Sequence, residues 1–208
     1  MSLTLAVSKG YLLGEAVTLF ERAGIHFEDD LNTSRKLFTW DTTKRIRLIQ
    51  VRPWDVDVYV AQGAADLGIV GQDVLIEKKS HNPVLLDLEF GKCSLILAGL
   101  EDHVPELSHH MTVATKYPHA TQSYFLSKGL KVTLIKLYGS IELAPITGLS
   151  DIICDLTATG KTLKENHLAI IDTVFTSTAR LIANSVSLKS KYTSIIEWVT
   201  LLRPHIRP

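Results

Sequence analysis

The sequence predicts an α/β protein of two lobes, and three observations carry that prediction. Short apolar runs of strand length alternate with longer amphipathic stretches along the chain. Glycines close several of the amphipathic stretches, as at Gly24 and Gly63. A polar, His-rich stretch from Glu101 to His110 then separates one βα series from a second, which implies two lobes and a cleft. With 46% apolar and 21% charged residues over 208 positions, the chain can bury a core of this kind.

The elements follow in order. Leu3–Val7 reads as a buried strand, and a helix near 12–23 carries Leu12, Leu13, Ala16, Val17, Phe20 and Ala23 at helical spacing. Ile46–Val51 is a second strand, Asp55 to Gln62 a helix, and Leu67–Val70 a third strand before a helix opening near Asp73. Leu85–Leu88 and Ser94–Ala98 continue the sheet pattern. The second series comprises strand Met111–Ala114, helix 118–128, strand Val132–Leu137, a short helix at 141–146, strand Ile152–Leu156 and a helix from about Lys161. A last helix near 187–202 places Leu188, Tyr192, Ile195, Ile196, Val199 and Leu202 on one stripe. There is no internal repeat and no low-complexity segment.

Charge and cysteine usage exclude several function classes. Lys+Arg (22) balances Asp+Glu (22), so no global field draws nucleic acid or an anionic membrane, and anion recognition has to be local. Leu3–Val7 is too short for a signal core or a membrane span. Cys93 and Cys154 sit in apolar runs and read as buried free thiols, so the expected setting is cytoplasmic.

Four segments carry possible chemistry. In Asp155-Leu156-Thr157-Ala158-Thr159-Gly160-Lys161-Thr162-Leu163 a strand ends in an acid, and a loop of hydroxyls and Gly opens a helix. Backbone N–H groups, hydroxyls and a helix start suit a phosphate, and the carboxylate can accept from two neighbouring sugar hydroxyls. An ordinary helix cap uses the same residues. Glu142, in Gly139-Ser140-Ile141-Glu142-Leu143-Ala144-Pro145, suits a ribose hydroxyl or a nearby Mg²⁺, or else simply favours a helix start. Lys9, in Ala6-Val7-Ser8-Lys9-Gly10, suits a pyrophosphate or is a solvated lysine. Ser34-Arg35-Lys36 adds two cations in a polar loop. Around Asp66-Leu67-Gly68-Ile69-Val70-Gly71-Gln72-Asp73 the glycines are explained by a tight strand-to-helix turn. Metal-ligand spacing, a Cys/His pair, a Gly-x-Ser-x-Gly elbow and a dinucleotide fingerprint are all missing, and His109-His110 reads as an exposed turn.

The combination is more specific than its parts. The order AVSKG (6–10), SRKL (34–37), VAQGAADLGIVGQDVL (60–75), GKCSLILAG (91–99), VATKY (113–117), KLYGSIELAP (136–145), GLSDIICDLTATGKTL (148–163) and RLIAN (180–184) resembles ATP phosphoribosyltransferase from residue 3 to about 190. The resemblance implies a two-lobed, type II periplasmic-binding-protein-like fold with its active site in the interlobe cleft. The first lobe would be discontinuous, 1–100 plus about 175–208, and the second would span about 101–174. The chain ends at Pro208 without the long form's regulatory domain, so it resembles the short form. That form is implied to work with a regulatory subunit similar to histidyl-tRNA synthetase, as a homodimer within a hetero-oligomer. Neither nucleic acid nor membrane is an expected partner.

The implied reaction joins N1 of ATP to C1 of phosphoribosyl pyrophosphate and releases pyrophosphate, the first step of histidine biosynthesis. On this resemblance Thr157, Ala158, Thr159, Gly160, Lys161 and Thr162 hold the 5-phosphate, while Asp155 and Glu142 hold the ribose hydroxyls. Lys9 and Arg35 face the pyrophosphate, and Glu142 stands near a largely substrate-held Mg²⁺. Tyr11, Arg52 and Asp73 fall on the ATP side. One position departs from the family pattern: Tyr11 stands where Lys-Gly-Arg is common, which removes a cation. The alternatives are a non-catalytic binding module of the same fold, a phosphoribosyltransferase with another acceptor base, and a degenerate subunit kept for assembly.

Overall fold

A computed structural model describes residues 2–31, 34 and 36–206. The chain divides into two compact units, 1–91 with 178–208 and 92–177. The first stretch supplies β1 (Leu3–Ser8), α1 (Tyr11–Arg22), β2 (Phe38–Trp40), β3 (Ile46–Val51), α2 (Pro53–Ala61), β4 (Leu67–Gly71), α3 (Gln72–Lys78) and β5 (Val84–Asp87). The second unit contains β6 (Cys93–Leu100), β7 (Thr112–Thr115), α4 (Pro118–Ser127), β8 (Thr133–Lys136), α5 (Leu143–Ile146), β9 (Ile152–Thr157), α6 (Lys161–Glu165) and β10 (Leu168–Ser177). The chain then returns to unit 1 as β11 (Ala179–Ala183), α7 (Ser185–Ser190) and α8 (Tyr192–Leu202).

Among the described residues unit 1 is built on a six-stranded sheet, β2-β3-β1-β4-β11-β5, and unit 2 on a five-stranded sheet, β10-β6-β9-β7-β8. In unit 1, β1 runs parallel to β3 (Leu5 opposite Leu48) and to β4, and β11 closes antiparallel on β4 with Leu181 opposite Ile69. Period two along β1 sends Leu3, Leu5 and Val7 to one face, where Phe20, Leu19, Leu48, Leu181 and Trp198 meet them. Ala6 points to the other face, against Val56, Val60, Val70 and Ile182. Fully burying one such aliphatic side chain contributes about 1.5–3 kcal/mol, so both faces need their helices.

The chain crosses between the units at 91/92 and 177/178. Strand β6 pairs on both sides within the second sheet, with β9 and with β10, which puts it in unit 2. Glu101–His110, read from sequence as the seam, is therefore an irregular stretch inside unit 2, and His109-His110 forms the expected exposed turn.

Several elements differ from the sequence reading for physical reasons. Strand β10 has no clean alternation because register shifts between Ile170 and Asp172 and between Thr173 and Phe175 interrupt its pairing with β6. Strand β11 is short and buried, and β2 is a three-residue edge. The predicted single helix 187–202 is two: Lys191, at φ −120°, breaks it, and its ammonium reaches Asp66 at 2.9 Å. The expected stripe consequently loses Tyr192, which is exposed. Cys154 is buried, but Cys93 is only half-buried; both are free thiols.

The glycines near β4 also have a different cause from the expected turn. Neither Gly68 nor Gly71 has a positive φ. A Cβ on Gly68 would lie 2.7 Å from Val60 and 2.8 Å from Val56, so glycine here lets α2 approach the sheet.

Candidate functional site

In unit 2 the end of β9, the following loop and the start of α5 form one polar pocket of about 200 Å³. It gathers Glu142, Asp155, Thr157, Thr159, Lys161 and Thr162 above an apolar floor that includes Ile96 and Ile153. Ala158 also lines it, and Gly160 starts the helix beside it.

Local forces explain the shape. After β9, Gly160 adopts φ 72°, a left-handed conformation that a side chain would strain. No atom lies within 4 Å of where its Cβ would stand, so conformation rather than space requires glycine. Two hydroxyls brace the turn: Thr157 Oγ1 accepts from the Gly160 N–H at 3.0 Å, and Thr159 Oγ1 from the Lys161 N–H at 3.4 Å. The first N–H groups of α6 have no acceptor within the helix, so the turn presents donors together with hydroxyls. Leu163 is buried in the core below and anchors the helix. Lys161 is exposed, with its ammonium 3.7 Å from Glu165 one turn along.

Glu142 is held by its neighbours. Ser140 takes φ 49°, and the buried pair Ile141 and Ala144 packs into the unit 2 core, which leaves Glu142 half-buried between them. It precedes the four-residue α5 but makes no side-chain capping bond, so helix capping does not account for it.

Asp155 shares by period two the face of Ile153, the face covered by α5 and α6. Its Oδ1 accepts from the Leu156 N–H at 2.9 Å. Burial pushes its carboxyl up to about 6; Glu142 pushes in the same direction, and the Leu156 N–H and Lys116 oppose them. A carboxyl poised there, beside hydroxyls and backbone donors, fits the recognition of a sugar bearing a phosphate. Lys116 belongs to this constellation and was not singled out from sequence. It lies in the VATKY segment (113–117) that carries the resemblance, a cation directly after the β7 strand.

In unit 1 three predicted residues come to one end of the sheet. Lys9 follows β1, Arg52 follows β3 and Asp73 follows β4, and these three strands are parallel. The carboxyl ends of parallel strands are where α/β sheets bind ligands. Lys9 is exposed, and its N–H donates to the Val51 carbonyl at 2.9 Å, continuing the β1–β3 ladder. Gly10 (φ 95°) turns the chain into α1, whose first residue, Tyr11, is 71% exposed. The charge of Glu15 one turn on, aided by slight burial and by the hydrogen bond that the hydroxyl donates to that carboxylate, raises the Tyr11 hydroxyl's pKa. Arg52 is exposed. Asp73 is buried and its carboxylate folds back over Gly71, where a Cβ would lie 2.1 Å from Oδ1. Arg35 lies outside the described residues. Its neighbour Lys36 is paired with Asp29 at 2.7 Å.

Comparison with known proteins shows the family and the fold. The family model described as ATP phosphoribosyltransferase matches residues 52–204. Enzymes named ATP phosphoribosyltransferase from Geobacter metallireducens and ATP phosphoribosyltransferase 2 from Geobacter sulfurreducens are 46% and 45% identical, each over 98% of both chains. A solved ATP phosphoribosyl transferase (HisG:HisZ) complex from Thermotoga maritima matches with a TM-score of 0.84 and 36% identity, over 98% of each chain. The aliphatic sulphonate binding protein SsuA from Escherichia coli shares only the fold, at a TM-score of 0.62 and 12% identity over 98% of this chain and 68% of its own. The architecture is thus the type II periplasmic-binding-protein-like α/β fold, the 208 residues have the length of the short form, and the chain belongs to the ATP phosphoribosyltransferase family.

Proposed function

We propose that the pocket at the end of β9 holds the phosphoribosyl group in the family's reaction, the joining of N1 of ATP to C1 of phosphoribosyl pyrophosphate that opens histidine biosynthesis. The observation that supports this reading is the convergence of two carboxylates, three threonine hydroxyls and a left-handed glycine turn on one small pocket. Thr157, Thr159 and Thr162, with the N–H groups of Ala158, Thr159 and Thr162, take the 5-phosphate, and Lys161 adds charge at its rim. Asp155 and Glu142 accept from the ribose hydroxyls.

The chemistry needs positioning and charge rather than a protein nucleophile. As N1 attacks, the C1–oxygen bond breaks, the sugar carbon becomes electron-poor and pyrophosphate gains charge. Lys9 and Arg35 offset that charge, and fixed cations do so without reorganising during the step. Arg52 and Tyr11 serve the ATP side. Asp73, folded over Gly71, serves it through the turn that opens α3.

The donor set suits a Mg²⁺ that arrives with substrate. Among the described residues no group of three or more His, Cys, Asp or Glu could hold an ion, whereas Glu142 and Asp155 line one pocket. Mg²⁺ commonly combines one or two carboxylates with substrate oxygens and waters, so Glu142 is the residue that would hold it. When bound, the ion supplies positive charge toward the departing pyrophosphate. The Thermotoga maritima complex supports a regulatory subunit as partner, and the expected assembly is a homodimer of this chain within that hetero-oligomer. The free thiols accord with a reducing, cytoplasmic setting.

The test is pyrophosphate release from phosphoribosyl pyrophosphate, ATP and Mg²⁺, with and without the regulatory subunit. Release that needs both substrates is expected, and Thr159→Val and Thr162→Val should each raise KM for phosphoribosyl pyrophosphate with little effect on KM for ATP. No turnover under either condition would overturn the reading in favour of a binding module or an assembly subunit.

A further inference from the structure

We propose that Lys116 is a positioning residue of the phosphoribosyl pocket, holding Asp155 in place and offsetting the charge of the carboxylate pair when a phosphate enters. The inference rests on the proposed phosphoribosyl role of the loop after β9.

Strand geometry carries it. Strands β7 and β9 are parallel, with Val113 opposite Ile152, Ala114 opposite Ile153 and Thr115 opposite Cys154. One step further along the same register sets Lys116 beside Asp155. Ala114 and Ile153 share one core face, and Asp155, two residues on in β9, falls on that face as well, while Lys116 follows directly after β7 and is half-buried there. This is the face where Ile141 and Ala144 bracket Glu142.

The backbone around Lys116 is unusually well fixed. Thr115 is fully buried, and its Oγ1 donates to the Cys154 carbonyl at 2.7 Å. The same oxygen accepts from the Tyr117 N–H at 2.8 Å, and the buried Thr121 hydroxyl donates to the Tyr117 carbonyl at 2.6 Å. Tyr117 is itself buried, and Pro118 starts α4. A half-buried lysine is thus clamped between two buried residues, both tied by hydrogen bonds to β9 or α4.

Charge arithmetic gives the clamp a purpose. A bound 5-phosphate would add about two negative charges beside two carboxylates in one small pocket. Lys161, the cation of the loop, is 79% exposed and turned toward Glu165. Lys116 is half-buried where Lys161 is exposed, and its charge opposes the effect of Glu142 on Asp155. The substrate feature it serves is therefore the ribose hydroxyls, through Asp155, and not the adenine.

The test uses the full chain and equilibrium titration with phosphoribosyl pyrophosphate and, separately, ATP. Lys116→Met is expected to weaken phosphoribosyl pyrophosphate about tenfold or more, the loss of one charge-assisted contact, while ATP binding stays within about twofold. Lys116→Arg should restore most of the loss. Unchanged binding in Lys116→Met, alongside weakened binding in Thr162→Val, would overturn the role of Lys116 and leave the loop reading intact. Unchanged binding in both variants would overturn the loop reading and this inference with it. An equal loss for both substrates, with a lowered Tm and no rescue by Arg, would assign Lys116 to the fold alone.

Discussion

Replacing Asp155 by Asn separates stability from binding. Its carboxyl is raised from 3.8 to about 6, chiefly by burial, with Glu142 contributing and the Leu156 N–H and Lys116 opposing. A carboxyl whose pKa rises on folding keeps its proton better in the native protein, so ionisation destabilises the fold. That cost is absent below about 4, grows between about 4 and 6, and is fully present above 6. The raised value corresponds to about 3 kcal/mol. Asp155 is only part-buried, so solvent reduces what the variant recovers to about 1–2 kcal/mol. Asn cannot ionise but keeps an Oδ1 for the Leu156 N–H, which now lies at 2.9 Å. Urea unfolding should therefore show Asp155→Asn more stable than the parent at pH 8, with the gain shrinking as pH falls through 6 toward 4. Affinity for phosphoribosyl pyrophosphate should meanwhile fall. Stability is the cleaner readout of the ionisation, because the substrate's own phosphate titrates near 6. A gain that does not change with pH, or a loss at pH 8, refutes the burial penalty as the origin of the raised pKa.

The other predictions concern charge elsewhere. Arg35→Ala should lower kcat far more than it raises KM for either substrate, and an effect confined to KM in steady-state kinetics would remove it from the leaving-group step. Tyr11→Arg should keep or improve turnover by restoring a cation one turn from Glu15; a folded variant without activity would show that the phenol has its own task. Asp66→Ala should lower Tm by several degrees. Burial acts to raise that carboxyl, but hydrogen bonds from Ser187 (2.6 Å), Lys191 (2.9 Å) and the Thr4 N–H (2.8 Å) outweigh it and hold the pKa low. Its contribution is thus present at neutral pH and lost in acid, so the Tm difference between parent and variant should narrow below about pH 4.

Much of this was legible in the sequence because period and punctuation agreed. Ile46–Val51 matches β3 residue for residue, and the helix starts at Tyr11, Pro118 and Lys161 fall within a residue or so of their signals. What escaped was structure fixed by long-range partners. Strand β10 is defined by its pairing with β6 through two register shifts, and no local alternation survives that. The break falls at Lys191, whose ammonium bonds an aspartate 125 residues away. The pocket was legible where hydroxyls, glycine and an acid follow one another, from Asp155 to Thr162. Lys116 was not, because its relation to Asp155 exists only once β7 and β9 lie side by side.

Topology points to the same places independently of side-chain chemistry. In unit 2, β7 leads through α4 to β8 on one flank, while β9 leads through α6 to β10 on the other. The order of connections therefore reverses between β7 and β9. Crevices at such reversals, outside the carboxyl ends of strands, are where α/β sheets accept ligands, because departing helices leave a gap there. Lys116 directly follows β7, and Asp155 stands in the second half of β9. In unit 1, β1 leads toward β3 on one side and β4 leads through α3 to β5 on the other, so the corresponding reversal lies between β1 and β4. Lys9 follows the first of these strands and Asp73 the second. Each sheet thus opens a gap where its chain turns both ways, and the titratable residues lie beside it. Moving Asp155 even one position along β9 would send its side chain to the opposite face, so register rather than composition makes the site.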